Sequence, residues 1–357
     1  PQHEVKSYRP ISLLPITSKV FEKLFLNRFI AVVDENNLIP HHQFGFRQRH
    51  STIEQAHRVV SIIKEALEAK KYCSAAFLDV SQAFDKVWHD GLLYKLKLRI
   101  PHSFFSILKA YLSERFFRVR FKDSCTELHK IEAGVPQGSV LGPILYTLFT
   151  ADIPTSDNVT LATFADDTAI MACHDDPITA SELLQSELDD LSEWLGTWRI
   201  KVNEGKSAHV SFTMRTSDCP PVSLNYVPLP QTNEVKYLGL YLDRRLTWRS
   251  HVWQKRLALN LKYRNMSWLL NKNSKLSVKN KLLVYKVILK PVWTYGIQLW
   301  GTTSDSNIEI LQRFQSKVLR SILEAPWYVN NKTIHNDSKI PFVREEIQNY
   351  CKKYLTK

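Results

Sequence analysis

Three aspartates constrain this chain more than any other feature. Asp79 closes the apolar run CSAAFLDVS, and the pair Asp166-Asp167 lies inside LATFADDTAIMA. Each apolar, strand-like run stops at a carboxylate, so a sheet built from both carries all three acids to one edge. Carboxylate oxygens are hard ligands suited to magnesium. Two such ions about 3.5–4 Å apart can activate an attacking hydroxyl and neutralise a leaving pyrophosphate. The arrangement points to nucleotidyl transfer with two Mg2+ ions, or Mn2+ in their place.

Two further Asp-Asp pairs serve as internal controls. Asp175-Asp176 precedes Pro177 and a helical run, which reads as an N-cap followed by proline at the first helical position. Asp189-Asp190 lies within that helix and reads as a solvated face. Only Asp166-Asp167 is framed by apolar strand residues, where paired like charges need a counter-ion. A second motif, GVPQGSVLGP from Gly134 to Pro143, lets backbone approach a ligand closely before a helix begins. It is not a P-loop, because Gly138 is followed by Ser139-Val140. The EGKS at Glu204–Ser207 is not one either, since Ile200 stands where a Walker motif needs glycine.

The net charge of +13 has an address. Between positions 244 and 304 there are thirteen Lys or Arg residues and no acid, so this stretch holds the whole excess. Lys255, Arg256, Lys262 and Arg264 fall in its first helix, and Trp253, Tyr263 and Trp268 are interleaved with them. A basic, aromatic-studded surface suits phosphate neutralisation, although lysines on one helix can equally be a soluble face. The five cysteines are scattered, with no CxxC, which argues against a zinc knuckle and a disulfide framework and fits a reducing, intracellular setting. No apolar run reaches the roughly 18 residues of a membrane span. A first residue of Pro1 is expected of a piece of a longer polypeptide.

Periodicity predicts helices over 18–36, from Ser51-Thr52 onward with Glu54 near the cap, over QAFDKVWHDGLLYKLK, and over 177–195. FFRVRF at 116–121 and AHVSF read as strands, and VKYLGLYLD as a hairpin strand. The region from Arg249 reads as helices with breaks near 271–274 and at Pro291. Mixed α and β followed by all-α gives an α+β chain.

FLDVSQAFDKV, GVPQGSVLGPILY, FADD, NEGKS and YLGLYLD, in that order, resemble the reverse transcriptase domain of non-LTR retrotransposons. YRPISLLPITSKVFEKLFLNRF and FGFRQRHST resemble that family's fingers, and APWYVNNKTIH its insect jockey-like branch. The resemblance implies a right-hand polymerase: fingers over 1–71, a palm with antiparallel sheet over 72–247, a basic helical thumb over 248–325, and a truncated connector over 326–357. Residues 86–130 are expected to pack partly on the fingers. It implies that Asp79, Asp166 and Asp167, with the Val80 carbonyl, hold the metals. Phe84 takes the steric-gate position, with a core phenylalanine as the alternative reading. Gln137 and Gly138 lie near template and incoming nucleotide. Lys206 matches a lysine that protonates pyrophosphate, or is a solvated surface lysine. Arg47 or Arg49 clamps the triphosphate, and Tyr237, Leu238 and Gly239 lie in the primer grip. The implied partners are an RNA template, a DNA primer, deoxynucleoside triphosphates and an upstream endonuclease, with nuclear action at integration and no membrane. A catalytically inactive nucleic-acid-binding fragment and an RNA-dependent RNA polymerase are the alternatives.

Overall fold

The computed structural model describes residues 11–121 and 123–356. The chain forms two compact units, one ending at Thr232 and one beginning at Asn233. The first contains helices α1 (Ile16–Glu35), α2 (Thr52–Glu68), α3 (His89–Lys97), α4 (His102–Leu112), α5 (Gly142–Phe149) and α6 (Pro177–Thr197). Its sheet has four antiparallel strands, β1 (Tyr72–Asp79), β2 (Thr160–Phe164), β3 (Asp167–His174) and β4 (Ala208–Phe212), in the order β2-β3-β1-β4. Helix and sheet are thus mixed, as the α+β reading expects.

Strand β1 is buried from Tyr72 to Leu78 and exposed at Asp79, so the acid marks where the core ends. On one face α6 lays Leu184, Leu188, Leu191 and Leu195 against Ala76, Leu78, Ile170 and Ala172. Each such leucine contributes about 1.5–3 kcal/mol on burial, which fixes the register of β1 against β3. A second core joins Phe25, Phe29 and Val33 of α1 to Leu92 and Leu96 of α3, Leu108 and Leu112 of α4, and Leu145 and Phe149 of α5.

The helix starts follow local chemistry. Ser51 and Glu54 form a reciprocal capping box at α2. Asp176 caps α6 by accepting from the Thr179 N–H at 2.8 Å, with Pro177 as the first helical residue. Asp189 and Asp190 are exposed on that helix, as expected.

Two elements of the first unit differ from expectation. The helix predicted from Gln82 starts only at His89, and residues 81–86 form turns. Gln82 takes φ +53, and the carbonyls of Phe84 and Val87 accept from the Val135 and Gly134 N–H groups at 2.8 Å each. Backbone groups that a helix would use internally are committed to the Gly134 loop. FFRVRF splits into Phe116–Phe117, paired with His129–Lys130, and Arg120–Phe121, paired with Ser124–Cys125. Between them Val119 exchanges bonds with Thr126, whose hydroxyl and N–H both face it.

The second unit opens with the hairpin β5 (Glu234–Tyr237) and β6 (Leu240–Asp243). Its turn residues Leu238 and Gly239 both have positive φ, as a two-residue hairpin turn of the primed type requires. Then come α7 (Arg249–Asn265), α8 (Val278–Val284) and α9 (Asp305–Ile322). Pro291 does not break its helix. The chain widens into a π-turn over Tyr285–Leu289, which accommodates a residue with no N–H, and resumes α-helix at Lys290. Among the described residues no helix is long and apolar enough to cross a membrane.

Candidate active site

The register of the sheet brings the acids together. Asp79 at the end of β1 is the direct partner of Asp167 at the start of β3, and Phe164 of β2 pairs with the same Asp167. Ala165-Asp166 therefore forms a two-residue turn at the same edge. Ala165 takes φ +57, a left-handed conformation that disfavours a residue with a Cβ.

A contact the sequence reading missed holds that turn. Gln43 Oε1 accepts from the Ala165 N–H at 3.0 Å and from the Gly45 N–H at 2.7 Å. Backbone bonds between Thr163 and both His42 and Phe44 lay the 42–45 loop along β2. Gly45 is required there, because a Cβ would lie 2.2 Å from the Ala165 nitrogen. Gln43 is buried, and a lone glutamine beside FGF gave no periodic signal of its own.

The facing wall is the Gly/Pro loop. Gly134 and Gly138 have φ of +94 and +95, and a Cβ on Gly134 would meet the Asp85 carbonyl at 2.7 Å. Gln137 donates to the Asp85 carboxylate at 2.9 Å, while its carbonyl accepts from the Ser12 N–H at 2.9 Å. The buried Glu22 of α1 accepts from the Val140 N–H at 2.6 Å, just before α5, and from the Tyr111 hydroxyl at 3.1 Å. A carboxylate at that helix start suits its unpaired N–H groups. Phe84 stacks on Tyr146 with centroids 4.8 Å apart and meets Phe46 edge-on at 5.9 Å. It is half-buried on a turn, not on a helix.

The NEGKS segment is stitched to β1. The Asn203 N–H donates to the Asp79 carbonyl at 2.8 Å, and the Ser207 hydroxyl accepts from the Asp79 N–H at 3.1 Å. Lys206 follows in that turn, its N–H bonded to Asn203, and its side chain is exposed. Val80 bridges Val202 through bonds made by the flanking Asp79 and Ser81, so its own carbonyl points toward the β3 side.

A cleft of about 760 Å³ joins these walls. Asp79, Asp166, Val80 and Phe84 line it, as do Gln137, Gly138 and Lys206. Asp85 and Asn203 also line it and were not anticipated. Arg47 and Arg49 are not among its lining residues. Their neighbour Phe46 is, while Arg47 is half-buried and Arg49 is exposed with φ +60.

The carboxylates at this edge act on one another. Burial, then Asp166, then Asp79 push the Asp167 carboxyl up from 3.8 to about 6. Burial and the charges of Asp166 and Asp167 hold the Tyr146 phenol far above its ordinary range. Among the described residues no group of three or more His, Cys, Asp and Glu is drawn into ligating geometry. The donor set is nevertheless all hard oxygen, and mutual repulsion at a half-dry edge is what a divalent cation relieves, so these residues fit Mg2+.

The remaining candidates belong to the second unit. Tyr237 is buried in β5, and Leu238 and Gly239 form the turn. Lys255 donates to the Gly239 carbonyl at 3.3 Å and lies over the Tyr295 ring, and Tyr295 donates to the Leu238 carbonyl at 2.7 Å. Arg256 donates to the Ile310 carbonyl at 2.8 Å and lies over Phe314. Lys262 and Arg264 are exposed. Trp253, Leu257 and Leu261 form an exposed stripe at i, i+4 and i+8 on the same helix.

With this geometry in place, comparison with known proteins is direct. Residues 1–242 match the family described as reverse transcriptase (RNA-dependent DNA polymerase). The chain is 46% identical over 362 residues to the probable RNA-directed DNA polymerase from transposon X-element of Drosophila melanogaster, covering 99% of this chain and 40% of that protein. It is 42% identical over 360 residues to the RNA-directed DNA polymerase from mobile element jockey of the same organism, covering 99% and 39%. A telomerase structure from Candida tropicalis superposes at a TM-score of 0.45 and 12% identity over 91% of this chain and 57% of that one, too distant to decide anything. The chain belongs to the reverse transcriptase family. It spans about two fifths of the length of the curated relatives it matches.

Proposed function

We propose that this chain is the polymerase part of a retrotransposon protein, extending a DNA 3′-hydroxyl on an RNA template by two-metal nucleotidyl transfer. The observation that carries the reading is the direct opposition of Asp79 and Asp167, with Asp166 in the adjoining turn, where Asp79 and Asp166, though not Asp167, line a cleft shared with Phe84, Gln137, Gly138 and Lys206. The architecture is a right hand, with fingers over 1–71, palm over 72–247, thumb over 248–325 and a connector over 326–357.

In this reading Asp79, Asp166, Asp167 and the Val80 carbonyl would hold two Mg2+ or Mn2+ ions, which would supply activation of the attacking hydroxyl and charge neutralisation at the pyrophosphate. The chain's own groups orient the reactants. The Phe84 ring, fixed by Tyr146 and Phe46, fills the space a ribose 2′-hydroxyl needs and selects deoxynucleotides by exclusion. The loop through Gln137 and Gly138 supports template and nucleotide. Lys206 gives its proton to the departing pyrophosphate, and Arg47 or Arg49 reaches the triphosphate. Tyr237, Leu238 and Gly239 grip the primer, Lys262 and Arg264 face the duplex backbone, and Lys255 and Arg256, engaged with the Gly239 and Ile310 carbonyls, hold the helix that presents them. An endonuclease in the remainder of the polyprotein supplies the nicked primer end, and integration takes place in the nucleus. The test is primer extension on poly(rA)–oligo(dT) with and without magnesium. Extension with magnesium and deoxynucleotides supports the reading, and a preference for ribonucleotides would indicate an RNA polymerase.

A further inference from the structure

The second unit carries an aromatic pair that its fold does not use. Pro326-Trp327-Tyr328-Val329 is a β-turn closed by the Val329 N–H donating to the Pro326 carbonyl at 3.2 Å. Its two central residues are Trp327, 89% exposed, and Tyr328, 72% exposed. Turn tips ordinarily take Gly, Asn, Asp, Ser or Pro, for their backbone freedom, fixed φ or local hydrogen bonds, none of which Trp or Tyr supplies. Two large rings placed there give the core nothing. They meet each other edge to face, centroids 6.0 Å apart at 80°, so a broad ring face stays open.

The turn is pre-shaped. Arg320 of α9 donates to the Pro326 carbonyl at 2.6 Å, the Val329 carbonyl at 2.8 Å and Asn331 Oδ1 at 3.1 Å, a guanidinium fork that fixes both ends. Asn330 then caps the next helix through the Thr333 N–H at 2.8 Å. All three acceptors of Arg320 are neutral, so its charge is not cancelled. Lys317, one turn earlier, and Lys332, just beyond the turn, are both exposed. The nearest acid in sequence, Glu324, is paired with the buried Lys281 at 3.5 Å.

A rigid pair of exposed rings above uncancelled cations is suited to a ligand that is flat, apolar on its face and anionic at its edge. We propose that Trp327 and Tyr328 form a stacking platform for an unpaired base of single-stranded nucleic acid, with Arg320, Lys317 and Lys332 drawing the adjoining phosphates. Base-on-aromatic stacking is tolerant of sequence and needs the base to be splayed, so the platform accepts single strands and not a closed duplex. This rests on the proposed function only in taking nucleic acid as the ligand class.

The experiment is anisotropy of a dye-labelled single-stranded RNA of about twelve nucleotides, a span within the usual single-strand site sizes, and of a blunt RNA–DNA duplex of equal length. Trp327→Ala is expected to weaken single-strand binding about tenfold, corresponding to one lost stack, and to lower the ratio of single-strand to duplex affinity. Trp327→Phe should keep most of the affinity. The Trp327→Ala salt slope should equal that of the wild type, because no phosphate contact is lost, whereas Lys332→Gln should flatten it by about 0.7. Unchanged single-strand affinity in Trp327→Ala, equal loss for both probes, or a change in sedimentation without nucleic acid, which would make the turn a protein-docking surface, each overturns the proposal. Wild-type primer extension is measured separately. A chain that binds single strands through Trp327 yet extends no primer overturns the polymerase reading and leaves the platform intact.

Discussion

Asp79 and Asp167 are direct partners on the last rung of the β1–β3 ladder, so a strand buried from Tyr72 to Leu78 ends opposite a like charge. Opposed like charges in a sheet destabilise it, and this pair stands beside a third carboxylate. A protein keeps such a rung where something else relieves it. The same geometry that costs stability is what the proposed cations would relieve.

Replacing one ligand should therefore remove rate and spare the fold. Asp79→Asn and Asp166→Asn keep shape while losing an anionic oxygen, and each is expected to lower single-turnover extension by at least about a thousandfold, since the cations stabilise the transition state more than the bound substrate. Primer–template affinity and melting temperature, measured alongside, should stay near wild type. Substantial residual extension by either variant would sink the assignment.

Asp167 gives the site a pH signature. Its carboxyl titrates at about 6 in the folded chain against 3.8 in the open one, so between those values the folded chain holds a proton that the unfolded chain has released. That contribution is complete below the lower value and disappears as pH rises toward 6. Melting in chelator should show this fall for wild type and a flatter profile for Asp167→Asn. Magnesium should raise the melting temperature at pH 7.5 and do so less at pH 5, where Asp167 is protonated. Identical profiles for the two proteins would refute this origin of the shift.

Phe84 is tested by the sugar it rejects. Its ring is clamped between Tyr146 and Phe46 at the cleft, so Phe84→Val should open space there and lower the deoxy-to-ribo preference by one to two orders of magnitude, about 1.4–2.8 kcal/mol of discrimination. Competitive incorporation of the two nucleotides reads this out. An unchanged ratio with a lower melting temperature would make Phe84 a packing residue.

The sequence disclosed the carboxylates because an apolar run that stops at an acid reports both a strand and its edge. It disclosed the Gly134–Gly138 loop because positive φ leaves glycine as a visible mark. It hid the 81–86 turn, since SQAFDKV carries helical periodicity, and what prevents the helix is bonding to Gly134 and Val135, about fifty residues away. Gln43 was hidden for the same reason. Its partner Ala165 is distant in sequence, and neither residue type signals the contact. The solvent side of α7 was obscured by composition. Its cations were countable, but that Lys255 and Arg256 bond to carbonyls of their own unit depends on the packing of Tyr295 and Phe314.

Gln43 should behave as a positioning residue. Gln43→Ala leaves the Ala165 and Gly45 N–H groups without their acceptor, at about 1–3 kcal/mol for each buried orphan, and frees the turn that carries Asp166. Extension should fall about tenfold or more with nucleotide KM little changed. Gln43→Glu keeps an acceptor oxygen and should recover part of the rate. An unchanged rate in Gln43→Ala would mean that the bonds to Ala165 and Gly45 do not position Asp166.

The basic stretch divides into cations that hold the second unit together and cations free to meet phosphates. Lys255 and Arg256 are engaged with the Gly239 and Ile310 carbonyls, whereas Lys262 and Arg264 on the same helix are exposed. Each phosphate neutralised releases counter-ions, so log K falls with log salt by roughly 0.9 per contact on a B-form duplex, and four to six contacts would give a slope of about −4 to −5. Replacing Lys262 and Arg264 together with Gln should flatten that slope by about 1.8 without altering the melting temperature. Arg256→Gln deprives the Ile310 carbonyl of its donor, and Lys255→Gln does the same at Gly239, so these should lower the melting temperature and change the slope little. The exposed stripe of Trp253, Leu257 and Leu261 releases no counter-ions, so Leu257→Ala should change affinity, if at all, by the same factor at every salt concentration. Binding titrations across salt, paired with melting curves for each variant, separate the two groups. A slope lowered by Lys255→Gln or Arg256→Gln and unmoved by the Lys262 and Arg264 pair would reverse the division and place the duplex contacts on the partnered cations.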